Sequence, residues 1–162
     1  RVLFRSVAPL VDQAKVAAAN ATATAELKAV TDALSAAQAV DAAAQNGIWT
    51  QADFDKVNPL LAGMQAHVDT LKKLADTASA GDENLRAAIA KDVQDEIDAA
   101  VHAQATLHEM VDKAEDDKEI ADKSLITANA EKDAAAKNLD DAQKIASAAP
   151  KGICSQIGRA HV

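Results

Sequence analysis

Apolar side chains recur along this chain with the spacing of an α-helix. Val16, Ala23, Val30, Ala37 and Ala44 return every seven residues, with Asn20, Leu27, Leu34 and Asp41 between them. That is a stripe of alternating four- and three-residue steps, thinned by alanine and interrupted by two polar residues. Pro9 suits the first position of a helix, and nothing breaks the pattern before Gln45. The first predicted helix therefore covers about 9–45.

The stretch QNGIWTQADF ends it. Asn46 and Gly47 both tolerate positive φ and stop a helix. Thr50 then fits an N-cap, with Asp53 three residues on as its capping-box partner, and Trp49 and Phe54 occupy the positions of a hydrophobic staple. A second helix over 51–79 carries the clearest stripe: Phe54, Val57, Leu61, Met64, Val68, Leu71, Ala75 and Ala78, widened by Leu60 and Leu74. Such a broad face suits a helix with two neighbours. Pro59 and Gly63 lie inside it, and the proline predicts a bend near 55–59.

Gly81 and Asp82 make the next stop and start. No Gly or Pro follows until Pro150, so the pattern predicts one very long third helix over about 82–148. The predicted fold class is all-α: an antiparallel hairpin, 9–45 and 51–79, packed on that coiled-coil-like third helix. Laid up, down, up, the Trp49/Phe54 tip packs on the third helix near Leu107–Ala114, with Leu27, Val30, Leu34, Leu61, Met64, Val68 and Leu71 buried between the three. The last helix then overshoots its neighbours by roughly 50 Å. The alternative is a four-helix up-down bundle with a turn near 114–119, where Asp112 and Asp116 repel each other.

Beyond that point the heptad continues. Leu107, Ala114, Ala121, Ala128, Ala135 and Ala142 form one set; Val111, Lys118, Leu125, Lys132, Leu139 and Ala146 form the other. Glu119–Lys123, Asp133–Lys137 and Asp140–Lys144 are i,i+4 pairs in the favourable order. The seam is thin, because alanine buries little area. In an in-register parallel dimer Lys118 and Lys132 would each face their own copies; in an antiparallel pair each faces an alanine position. The expectation is a mostly exposed arm over 115–148 that takes a protein partner or self-associates, antiparallel if homotypic.

Charge narrows the partners. The 162-residue chain has 17 basic and 25 acidic residues, net −8. Such a surface repels phosphate, which argues against nucleic acid and against anionic membranes. Alanine, the best helix former, makes up about a quarter of the chain, which supports the all-α reading. Cys154 is the only cysteine, too few for a disulfide framework or a zinc site. No apolar run approaches the ~20 residues of a membrane span.

The two ends differ in composition from the rest. RVLFRS and IGRAHV back-translate to one oligonucleotide read on opposite strands, and that string resembles a common short-read sequencing adapter. Residues 1–6 and 157–162 are therefore read as non-native, adapter-like scars. The remainder, 7–156, is read as a single α-helical domain or a fragment of a larger protein, with a charge balance of 14 basic to 25 acidic once Arg1, Arg5 and Arg159 are set aside.

Chemistry is sparse. His108, Glu109 and Asp112 in HEMVD come nearest to a zinc motif, but a third ligand is missing: His102 points to another face and His67 lies on the second helix. DFDKVN begins like a calcium loop and lacks its glycine and distal Glu. The acidic run Glu115–Glu119 reads as a solvated face. No catalytic, cofactor-binding or metal residue is assigned, and no cofactor is implied. The leading expectation is a non-catalytic structural or protein-interaction helical rod; the alternative is an amphipathic bundle that binds lipid or an apolar surface, which the acidic excess disfavours.

Overall fold

The computed structural model describes residues 11–148. The adapter-like ends, Pro9 and Cys154 lie outside them. The chain is all-α, a helical bundle with no strand among the described residues. Its helices are α1 (Gln13–Ala43), α2 (Gln51–Ser79), α3 (Glu83–Asp92) and α4 (Gln94–Ala148), with a 3-10 turn at Gln45–Gly47.

α1 starts later than the expected residue 9. Asp12 is its N-cap, and its carboxylate accepts from the backbone N–H groups of Ala14 (3.1 Å) and Lys15 (3.2 Å). A capping carboxylate satisfies donors that the first turn leaves unpaired, which fixes the start there. The far end obeys the Asn-Gly signal: Asn46 and Gly47 both take positive φ, 59° and 71°. α2 then begins as expected. The Thr50 N–H donates to Asp53 Oδ2 at 2.9 Å, and the Thr50 hydroxyl donates to the same oxygen at 2.7 Å. Trp49 and Phe54 pack edge to face, centroids 5.2 Å apart, and both are buried. α2 accommodates Pro59 on an exposed position.

Two corrections concern the third helix. It is interrupted at Val93, which adopts φ −100°, ψ 4° between α3 and α4. Its N–H still donates to the Ile89 carbonyl at 3.0 Å, and its carbonyl accepts from the Ile97 N–H at 3.1 Å, so the interruption is a local one. Leu85, Ile89 and Val93 are all buried and step by four residues. Ala100, Ala103 and Leu107 of α4 are buried as well. The second correction removes the alternative turn at 114–119, because α4 is helical throughout that stretch.

The core joins all four helices: Val16, Ala23, Val30 and Ala37 of α1, Val57, Met64, Val68 and Leu71 of α2, Leu85 and Ile89 of α3, Leu107 and Val111 of α4. Leu27, Leu34 and Leu61, expected in the interior, are only partly buried. The contact line of α1 runs instead along Val16, Ala19, Ala23, Val30 and Ala37. Small residues let two helix axes approach, and the leucines are left to close the flanks.

The chain divides into two units, Arg1–Lys118 and Glu119–Val162. The hydrophobic core, as described, lies entirely in the first.

Candidate interaction surface

In the first unit polar side chains are spent on holding helices together. Asn20 and Asp41, the two polar interruptions of the α1 stripe, each have a partner on another element. Asn20 Nδ2 donates to Asp92 Oδ2 at 3.2 Å, and Trp49 Nε1 donates to Asp41 Oδ1 at 2.8 Å. His67 Nδ1 lies 2.5 Å from Glu26 Oε2, tying α2 to α1. Gln104 Nε2 donates to Gln65 Oε1 at 2.6 Å, tying α4 to α2, and Arg86 pairs with Asp76 across α3 and α2. Asn20 Oδ1 and Glu96 Oε2 are buried with no protein partner. These links order the helices as the sequence predicts, with α2 antiparallel to both its neighbours.

A cavity of about 190 Å³ sits at the hairpin tip, lined by Asp41, Gly47, Met110, Lys113, Ala114 and Asp117. Gly47 of the tip thus lies beside Met110, Lys113, Ala114 and Asp117 of α4, while Trp49 and Phe54, the residues expected to pack near Leu107–Ala114, are not among the lining residues. Its charged groups are already engaged. Lys113 Nζ donates to Asp117 Oδ2 at 2.8 Å, and this bond, with the Asp117 charge and a smaller attraction from Asp41, raises the lysine above its ordinary value. Asp41 holds the indole of Trp49. The cavity therefore offers no unpaired charge to a ligand.

The near-motif does not assemble. His108, Glu109 and Asp112 are all exposed, as is His102, while His67 is committed to Glu26. Among the described residues no three His, Cys, Asp or Glu side chains gather where they could hold a metal ion. Glu115, Asp116 and Glu119 are exposed, and Asp117 is half-buried on Lys113.

The second unit presents a different surface. Its described part is helix over 119–148, and apart from half-buried Ala121 every residue is exposed. Ile120, Leu125, Ile126, Leu139 and Ile145 are 60–73% exposed. The first unit contributes only Val101, at 38%, to the exposed large hydrophobics among the described residues. Ion pairs support this helix from within: Glu119 pairs with Lys123, and Asp140 with Lys144 at 2.5 Å. The expected Asp133–Lys137 pair does not close. Lys118 and Asp122 are also engaged. The heptad seam seen in the sequence is thus carried on a helix whose leucines face solvent.

Comparison with protein-family models, curated proteins and solved structures gives no match. No described helix is long and apolar enough to cross a membrane.

Proposed function

We propose that this is a non-catalytic structural or protein-interaction protein, in which the first unit is a scaffold and the helix over 119–148 is the surface that meets another protein. The observation that carries the reading is the concentration of exposed large hydrophobics on that helix, at 60–73% exposure, while the first unit covers nearly all of its own. Exposed apolar residues gathered on one element mark an interaction site more often than single scattered ones do. A membrane surface fits less well. Interfacial helices combine a bulky apolar face with Lys/Arg borders, whereas 119–148 carries six acidic side chains against four lysines.

The test is a double substitution, Leu125→Glu with Leu139→Glu. A docking face contributes nothing to the isolated fold, so at a chain concentration too low for pairing the thermal midpoint of the first unit should stay within about 2 °C of the parent. A fall of roughly 8 °C or more would assign these leucines to the core and overturn the reading. Flotation of the parent chain with vesicles of neutral lipid is the companion measurement: chain left at the bottom of the gradient supports a protein partner, and chain that floats supports lipid instead.

A further inference from the structure

The seam of 119–148 has a shape of its own. Its large residues, Leu125, Lys132 and Leu139, are spaced by seven, and so are its small ones, Ala121, Ala128 and Ala135. The two sets alternate along one face, and all of these side chains are exposed except half-buried Ala121. In an in-register parallel pair like positions share a layer. Leucine would meet leucine, alanine would meet alanine across a gap, and Lys132 would meet Lys132. In an antiparallel pair the large set of one helix faces the small set of the other.

We infer that the occupant of this surface is a second copy of the same helix, antiparallel, with Leu139 opposite Ala121, Leu125 opposite Ala135 and Lys132 opposite Ala128. The inference rests on reading 119–148 as an interaction surface. Size complementarity selects the direction, and charge complementarity selects the register. Side chains on a helix lean toward its N-terminus. With Lys132 opposite Ala128, its ammonium leans to the level of Glu131 on the second copy, and that Glu131 leans toward it. Symmetry makes the pair twice. Shifting the register by a heptad sets Lys132 opposite Ala135 instead, and the glutamate then lies one turn away in the direction from which the lysine leans. The intrahelical pairs Glu119–Lys123 and Asp140–Lys144 lie on the opposite side of the helix and are undisturbed. Ile120 and Ile126 also lie off the seam and stay exposed in this pair.

The experiment uses the full chain with Cys154→Ser as background. Two single variants are made, Ala121→Cys and Leu139→Cys. Oxidised separately, each should remain unlinked, because each cysteine faces a non-cysteine residue of the second copy. Mixed and then oxidised, they should form a disulfide-linked heterodimer. Lys132→Glu should weaken dimerisation by a factor of roughly three to ten, the effect of two exposed pairs lost, and adding Glu131→Lys should restore it. Linking of Ala121→Cys with itself would show parallel pairing and overturn the inference. So would a parent chain that sediments as a monomer and a mixture that never links. That last outcome leaves the docking reading standing if the Leu125→Glu, Leu139→Glu chain keeps its midpoint; if the midpoint falls as well, both are overturned.

Discussion

Leu71 and Leu125 are the same side chain on the same kind of helix, and their surroundings set different roles. Leu71 is fully buried among the core residues, while Leu125 is 60% exposed. Truncating Leu71 to alanine removes buried methyl groups and leaves a cavity, so Leu71→Ala should cost about 2–5 kcal/mol. Leu125→Ala removes no buried contact within the chain and should change stability by less than about 0.5 kcal/mol. Urea unfolding of a chain held monomeric by dilution checks both, and equal costs would place Leu125 in a core that the structure does not give it. At this scale the sequence is informative where chemistry is local. Asn46-Gly47, Thr50 with Asp53, and Trp49 with Phe54 can be read directly, because each motif needs only its own few residues. The partial burial of Leu27, Leu34 and Leu61 cannot be read in that way. A heptad shows that Ala23 and Leu27 share a face, but which of them lies on the contact line depends on how closely the neighbouring helix approaches.

Among the elements, α2 shows how a helix start is fixed and how that start responds to acid. The hydrogen bond from the Thr50 hydroxyl, then the one from its N–H, then Lys56, hold the Asp53 carboxyl below its ordinary value. A carboxyl depressed in the folded state stabilises fully above its unfolded value, about 3.9, and that contribution is lost as pH falls through the lower folded value. Asp53→Asn should therefore lower stability at neutral pH and flatten its decline on the acid side. Urea unfolding of both chains at neutral pH and near pH 3 measures this; parallel acid losses in the two would remove Asp53 from the cap. Its neighbour α3 teaches the converse lesson about legibility. Val93 has none of the marks of a break, neither glycine nor proline, so the uninterrupted third helix was the natural reading. The interruption is one residue long, and Val93 keeps its backbone hydrogen bonds to Ile89 and Ile97. The absence of a turn at 114–119, by contrast, was written in the unbroken heptad.

Across the whole molecule the two units differ in what covers their apolar residues. In the first, helix packing does so, supplemented by cross-helix links such as Glu26–His67 and Gln65–Gln104. In the second, the described helix has i,i+4 pairs and alanine propensity but no core of its own. Most helical stability in proteins comes from tertiary packing, and a stretch of helix without such packing opens more readily in water. The all-α architecture and the heptad seam were both legible, since periodicity and composition set them. The surface that carries the proposed function was legible as a pattern, and its exposure needed the structure. Hydrogen exchange of the monomeric chain, at a concentration too low for pairing, tests the division most directly. Amides of Met64–Leu71 should be protected up to the global unfolding free energy, while those of 119–148 should exchange orders of magnitude faster and slow as the chain concentration is raised. Protection of 119–148 equal to that of Met64–Leu71 in the dilute monomer would contradict the account, because that helix would then already be buried and would have no face left to offer.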